Sequence, residues 1–359
     1  MIISILKEVK KLEGRVAIVP ANVRELVKNG HKILVQKGAG VISGFTDADY
    51  KSEGAEIVEQ SRELIERADL VHKVKEPTLE EVDMMRQGQM FWGYLHLAAI
   101  PETLQKILDK KIIALGFETV QLPDGSLPLL APMSEIAGKL ATQNGAHLLR
   151  FDQGGRGILL GGTSTVPPAR VLVLGAGVVG RCAAEIAVGM GAQTTILDLS
   201  PQRLDLLKKI YGDKINVARS SEDVICKLLK DTDLLVGAVL VAGEKAPKLV
   251  TEDMVKTMPK GSVIVDVSVD QGGCIATSEV TTHDKPFVLK HGVLHYGVAN
   301  MPGSVPVTAT LALNNATFPY TKEIADLGLD GACKKHPEMQ KAINCANGEI
   351  VHPALKHVL

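Results

Sequence analysis

The run Pro168-Ala-Arg-Val-Leu-Val-Leu-Gly-Ala-Gly-Val-Val-Gly180 constrains the fold more than any other part of this chain. A short apolar, β-branched segment ends in Gly175-x-Gly177-x-x-Gly180 and passes directly into a helix-like sequence. In such a strand-turn-helix the glycines have separate tasks: Gly175 permits the tight turn, Gly177 lets the backbone approach a pyrophosphate, and Gly180 lets the helix pack closely on the strand. The helix N-terminus then faces the anion. A second strand, Gln193-Thr-Thr-Ile-Leu-Asp198, follows the helix and ends in a carboxylate. Asp198 can accept hydrogen bonds from both hydroxyls of an adenosine ribose, and its charge repels a 2′-phosphate, so NAD is expected in preference to NADP. Arg203, in the next segment, works against that preference.

A chain of 359 residues is long for one core, and two domains are expected. With 45% hydrophobic residues, 23% charged residues and a net charge of −1, nothing points to nucleic acid, and no charge run suggests a tail. The longest apolar stretches are strand-length. The start, Met1-Ile-Ile-Ser-Ile-Leu-Lys-Glu, has neither a basic region followed by a long apolar segment nor a cleavage site, so a cytoplasmic protein without membrane association is expected. Five cysteines, Cys182, Cys226, Cys274, Cys333 and Cys345, are widely spaced without a CxxC, which argues against disulfides and zinc. His291 and His295 are spaced like helical metal ligands but lie in a Gly-rich strand pattern, so no metal site is expected.

The first 130 or so residues alternate strand-like runs (Ile2-Leu6, Lys32-Gln36, Glu56-Val58, Leu70-Lys75, Met90-Leu95, Ile112-Gly116) with amphipathic stretches (Pro20-Lys28, Ser61-Glu66, Leu79-Met85, Pro101-Lys110). That rhythm predicts a mostly parallel sheet with helices on its faces. Met133-Leu149 reads as a long bridging helix, and Leu234-Val239 and Ser262-Val267 as further buried strands. A helix over Thr308-Asp326 returns most economically to the first domain. The expected fold is therefore α/β: two doubly wound Rossmann-like domains with a cleft between them. The first is discontinuous (1–133 and 305–359, substrate and catalysis) and the second spans 134–304 (dinucleotide). The segment after Gly328 has no pattern that places it.

Ligands of open α/β sheets lie beyond the carboxyl ends of the strands, and four polar residues stand there. Arg15, in the loop after the first strand, can bind a carboxylate through two parallel hydrogen bonds; a surface arginine is the plain alternative. Lys75 ends a strand stopped by Pro77 and can hold a carboxylate or carbonyl oxygen, but Lys73 shares its face by alternation, and a solvated lysine is the bland reading. His96 closes a strand carrying the only tryptophan, with Tyr94 on the same face. Imidazole suits acid–base work, and a structural histidine is the alternative. Asp270 leaves a buried strand before Gly272-Gly273, while Asp266 is its in-strand neighbour with a structural reading.

The chain closely resembles the bacterial NAD-dependent L-alanine dehydrogenases over residues 1 to 325. The resemblance is carried by Gly14-Arg-Val-Ala17, Lys73-Val-Lys-Glu-Pro77, Tyr94-Leu-His-Leu-Ala-Ala99, Glu118-Thr-Val-Gln-Leu-Pro-Asp-Gly125, Pro128-Leu-Leu-Ala-Pro-Met-Ser-Glu135, Asp270-Gln-Gly-Gly-Cys274, Thr281-Thr-His-Asp284 and Val298-Ala-Asn-Met-Pro-Gly303. It implies reversible oxidative deamination of L-alanine to pyruvate and ammonium with NAD reduced to NADH, in a homo-hexamer. By the resemblance Arg15 and Lys75 bind substrate, and His96 and Asp270 are catalytic. It places Ser134, Val178, Val179, Asp198, Arg203, Ser220, Val239, Leu240, Val267, Ser268, Val269, Asp270, Ala299, Asn300 and Met301 around the cofactor. The family often has arginine where Glu279 stands, which removes any cofactor contact expected there. The alternatives are the nucleotide-binding component of a proton-translocating transhydrogenase, a saccharopine- or lysine-type dehydrogenase acting on a larger amino acid, and an NAD-binding protein without chemistry.

Overall fold

Valine-, isoleucine- and leucine-rich runs become the strands of two separate, mainly parallel sheets, and the amphipathic stretches between them become helices. The computed structural model describes residues 1–239 and 246–359. Its contacts divide the chain into one unit of Met1–Met133 with Gly303–Leu359 and another of Ser134–Pro302.

In the first unit β1 (Ile2–Ile5), β2 (Lys32–Gln36), β3 (Glu56–Val58), β4 (Leu70–His72), β5 (Met90–Gly93) and β6 (Ile113–Gly116) run parallel in the order β3-β2-β1-β4-β5-β6. The order reverses between β1 and β4, and open α/β sheets bind ligands outside the carboxyl ends of the strands at such a reversal. Leu34, Val71, Phe91, Leu104 and Ile107 form part of the core beneath.

In the second unit β7 (Arg170–Leu174), β8 (Gln193–Asp198), β9 (Ile215–Arg219), β10 (Leu234–Gly237), β11 (Val263–Asp266), β12 (Phe287–Lys290) and β13 (Val293–Tyr296) are ordered β12-β13-β11-β10-β7-β8-β9. All pair in parallel except β12 with β13. The reversal falls between β7 and β10, beside the glycine loop. Each unit is thus doubly wound, and the two share the order of their first five strands, after which the second sheet places β13 before an antiparallel β12.

Several elements differ from the sequence expectation for physical reasons. β4 stops at His72 rather than Lys75, and β5 at Gly93 rather than Leu95: Lys73 N and Tyr94 N still donate to the Trp92 and Val74 carbonyls, but the N–H groups after them turn to carboxylate side chains, Val74 and Lys75 to Glu8, Leu95 and His96 to Glu118. A helix over Asp47–Ser52, closed by a Thr46/Asp49 capping box, was absent from the expectation. The bridging helix runs Ala131–Leu148. The final helix begins at Pro306 and continues to Lys335, broken at Gly328 (φ 71°, ψ 173°).

Beyond it the tail forms a hairpin, β14 (Ile343–Ala346) and β15 (Glu349–Ile350), which adds antiparallel to β6 at the edge of the first sheet. Its two-residue turn is Asn347-Gly348, both at positive φ (53° and 85°), the dipeptide that most favours a tight hairpin. All five cysteines are free thiols. Among the described residues no helix is long and apolar enough to cross a membrane, and no group of three or more His, Cys, Asp or Glu could hold a metal ion.

Candidate active site

The glycine loop after β7 is shaped for an anion. Gly175 sits at φ 95°, a conformation open chiefly to glycine, and a Cβ on Gly180 would lie 1.7 Å from the Gly175 carbonyl oxygen. A Cβ on Gly177 would meet nothing within 4 Å, so the space in front of the loop is open. Gly177 is the N-cap of the helix Val178–Gly189 and supplies no side-chain cap, which leaves that helix's first N–H groups to a ligand. Asp198 at the end of β8 fixes the loop: its Oδ2 accepts from Ala176 N (2.6 Å), its Oδ1 from Ser200 N (2.7 Å), and Arg203 Nη1 stands 3.8 Å from Oδ2. Each carboxylate oxygen accepts two hydrogen bonds, so both retain capacity for a ribose hydroxyl. The loop and Asp198 therefore fit a dinucleotide.

The rest of the expected cofactor set stands at the other carboxyl strand ends of this sheet. Val178 and Val179 form the first turn after Gly177, and Ser220 follows β9, its N–H donating to the Asp198 carbonyl (2.9 Å). Val239 follows β10, and its carbonyl accepts from Ser268 Oγ (2.7 Å), tying the β10 loop to the β11 loop. Leu240 lies outside the described residues. Val267, Ser268, Val269 and Asp270 follow β11. Val269 is buried in protein, whereas Asp270 is exposed. Ala299, Asn300 and Met301 follow β13, with Asn300 at φ 58° and Met301 buried. Ser134 lies in the first turns of the bridging helix, after its opening residue Ala131. Glu279 pairs with Lys290.

Asp266 is the structural carboxylate of its strand. It is fully buried and accepts from the N–H groups of Ser268 (3.1 Å), Cys274 (3.4 Å) and Ile275 (3.2 Å), folding the loop that carries Asp270. Burial pushes its pKa up, against those hydrogen bonds.

In the first unit Arg15, Lys75 and His96 stand beyond three adjacent strands, β1, β4 and β5. Arg15 is not a surface residue: it is 2% exposed, and Glu13 grips it through Nε–Oε1 (2.6 Å) and Nη2–Oε2 (2.5 Å). Its Nη1 faces Met133 Sδ at 3.1 Å. Its loop is pinned by the final helix, where Thr310 Oγ1 accepts from Val16 N (3.1 Å) and Asn314 Oδ1 from Val19 N (2.9 Å).

Lys75 is held below the ordinary lysine pKa by burial and then by the neighbouring Arg15. Among the described residues no hydrogen bond or salt bridge reaches its Nζ. Two neighbouring cations, one with no ion pair among the described residues, have the charge to take an anionic ligand. Lys73 is fully buried, with Nζ 2.9 Å from both oxygens of Glu81 and 3.9 Å from Glu8, which removes it as the alternative to Lys75.

His96 is exposed and lies beyond the strand it was expected to close. Its backbone is left-handed (φ 45°, ψ 35°), and its ring stacks on buried Tyr94 (centroids 5.8 Å apart, 10° between planes). Tyr94 donates to the Leu129 carbonyl (2.8 Å), and its hydroxyl pKa is raised, chiefly by burial and against the charge of Arg15. Tyr94 thus links the arginine to the histidine.

Three acidic residues of this unit escaped the sequence reading: Glu13, which grips Arg15; Glu118, which binds the His96 backbone; and Glu8. Glu8 is buried, and its pKa is pushed up to about 7 by desolvation, which outweighs the opposing charge of Lys73. Glu13 and Glu118 stand in the very segments that carried the family resemblance or beside them, so their position was the available signal.

Family descriptions match both units: "Alanine dehydrogenase/PNT, N-terminal domain" over residues 4–137 and "Alanine dehydrogenase/PNT, C-terminal domain" over residues 141–353. The alanine dehydrogenase of Methanococcus maripaludis is 49% identical over 356 residues, covering 99% of this chain and 95% of its own. That of Staphylococcus saprophyticus is 46% identical, covering 100% and 97%. A solved L-alanine dehydrogenase superposes with a TM-score of 0.96 at 46% identity, over 100% of this chain and 99% of that one. A transhydrogenase from Sinorhizobium meliloti shares the fold, with a TM-score of 0.83 at 24% identity over 99% and 100%. With both of its units matched and relatives of near-equal length at close to half identity, the chain belongs to the alanine dehydrogenase/PNT family.

Proposed function

We propose that this chain is an L-alanine dehydrogenase: L-alanine, NAD and water give pyruvate, ammonium, NADH and a proton, reversibly. The observation that carries the reading is the grouping of Arg15, Lys75 and His96 at neighbouring strand ends of one sheet, in a chain that also holds the dinucleotide loop. A protein that only bound a dinucleotide has no use for a buried arginine, a lysine with no ion pair among the described residues and an exposed imidazole at one place.

In this reading the unit of residues 1–133 and 303–359 binds substrate and the unit of 134–302 binds the dinucleotide, within a cytoplasmic homo-hexamer. Arg15 and Lys75 take the substrate carboxylate and carbonyl oxygen. Glu13 holds Nε and Nη2 of Arg15, so the guanidinium reaches the substrate with its orientation already set. A bound NAD would supply the hydride acceptor for Cα. His96 accepts a proton from the water that adds to the resulting iminium carbon and returns it to the departing nitrogen; Asp270 stabilises the iminium charge. The test is NADH production across a panel of L-amino acids. Alanine is expected to lead, with serine and valine well behind. A lysine preference, or no amino-acid-dependent NADH at all, rejects the reading.

The cofactor assignment is NAD, through Asp198. Asp198→Ala is expected to weaken NAD use about 10- to 100-fold, the worth of a hydrogen bond to a charged group. Because Asp198 also holds Ala176 and Ser200, the variant loses loop support for either cofactor. The ratio of kcat/KM for NAD over NADP separates the two effects, since only the lost charge narrows it. Equal use of NADP by the unmodified protein sinks the assignment.

A further inference from the structure

We infer that Glu118 is a positioning residue for His96: its carboxylate fixes the backbone from which the imidazole projects, an inference that rests on the acid–base reading of His96. Past β5 the Tyr94 N–H still donates to the Val74 carbonyl (3.0 Å), and after it the backbone turns to a side chain. Leu95 N donates to Glu118 Oε1 (3.0 Å) and Oε2 (3.2 Å), and His96 N donates to Oε1 (2.7 Å). One carboxylate thus gathers two successive N–H groups at the point where the backbone turns left-handed.

That turn is unfavourable for any residue with a side chain, and it persists only where its surroundings enforce it. Glu118 is equipped to do so. It sits in the short turn Phe117–Thr119 directly after β6, the strand hydrogen-bonded beside β5. On one side Phe117 is fully buried edge-on against Trp92 (4.4 Å) and Tyr94 (5.1 Å). On the other, Thr119 Oγ1 donates to the Gly116 carbonyl (3.2 Å) and accepts from Asn344 Nδ2 (2.8 Å). Asn344 lies in β14, so the tail hairpin supports the turn that supports His96.

The left-handed backbone and the Tyr94 ring together set the direction of the imidazole. Without the carboxylate, two N–H groups lose their acceptor and residue 96 relaxes toward negative φ, which swings the ring off Tyr94. A misplacement of about 1 Å costs a reaction on the order of 100-fold.

Steady-state kinetics of the full-length protein with L-alanine and NAD test this. Glu118→Ala is expected to lower kcat about 10- to 100-fold, with the KM for alanine and the Kd for NADH within about twofold of the unmodified values. In Glu118→Gln the amide oxygen takes the place of Oε1, the acceptor of both N–H groups, so this variant is expected to keep kcat within about threefold. In a His96→Ala background, Glu118→Ala is expected to add no further loss.

Unchanged kcat in Glu118→Ala overturns the inference. Equal loss in the Gln and Ala variants also overturns it, because the charge or a proton of Glu118 then acts directly, and so does a loss that adds to that of His96→Ala. If His96→Ala itself turns over normally, the acid–base reading fails and takes this inference with it. If His96→Ala is impaired while Glu118→Ala is not, the Glu118 inference alone fails. Should Glu118→Ala lose its melting transition, Glu118→Asp, one methylene too short to reach both N–H groups, takes its place with the same expectations.

Discussion

Arg15→Ala is expected to lower kcat/KM for L-alanine by tens to thousands-fold, the effect of about 2 to 5 kcal/mol when one partner of a desolvated charge pair is removed. NADH binding, followed by fluorescence titration, is expected to stay within about twofold, because the dinucleotide set belongs to the other unit. The same substitution removes both guanidinium contacts of Glu13, which is 4% exposed. Breaking a buried pair in this way costs on the order of 3 to 5 kcal/mol, so the melting temperature should fall as well. Lys75→Ala separates the two consequences. Among the described residues no carboxylate is ion-paired to Lys75, and relief of its repulsion with Arg15 favours the fold, so the kinetic loss should appear without the thermal one. Near-normal alanine turnover in either variant rejects the substrate assignment. A loss of NADH affinity equal to the loss of turnover shows that the variant misfolds, and Lys75→Ala then decides alone.

Local chemistry made some of this site legible in the sequence. The three glycines could be read because each task is set by its nearest neighbours, and the structure gives Gly175 a positive φ, Gly177 open space and Gly180 a carbonyl contact. The mostly parallel sheets with helices on their faces followed from the alternation of runs. The points where β4 and β5 stop did not, because the carboxylates that end them arrive from 66 and 22 residues away in sequence. Period-two alternation could not choose between Lys73 and Lys75. The choice is made by Glu81, which takes Lys73 into the core.

The burial of Arg15 was equally hidden, since one of its neighbours, Met133, lies 118 residues along the chain. The bidentate partner Glu13 was close at hand in sequence but was read only as part of an irregular loop. In the tail, Asn347-Gly348 carried a turn signal, but the strands it joins are too short to show alternation: β15 is only Glu349–Ile350. What escaped was therefore mostly acidic and mostly structural, the set of carboxylates that hold the backbone on which the reactive side chains are mounted.

His96→Ala addresses the reactive side chain itself and distinguishes a dehydrogenase from a protein that merely binds NAD. A positioned acid–base group contributes roughly 10²- to 10⁴-fold, so at least the lower end of that range is expected to be lost from kcat. Amination and deamination must fall together, since both directions traverse the same proton transfers. The fold has little reason to suffer: the ring is exposed and stacks on Tyr94, and the Glu118 hydrogen bond is made by the backbone, which alanine keeps. NADH affinity and melting temperature should therefore stay near the unmodified values. The pH–rate profile should lose the limb belonging to an imidazole-like group, provided chemistry rather than product release limits the unmodified protein; a primary isotope effect with deuterated alanine settles that condition first. Unchanged turnover with an unchanged profile would return His96 to a structural role. The proton transfers would then fall to Asp270, the remaining exposed ionisable group of the expected catalytic pair.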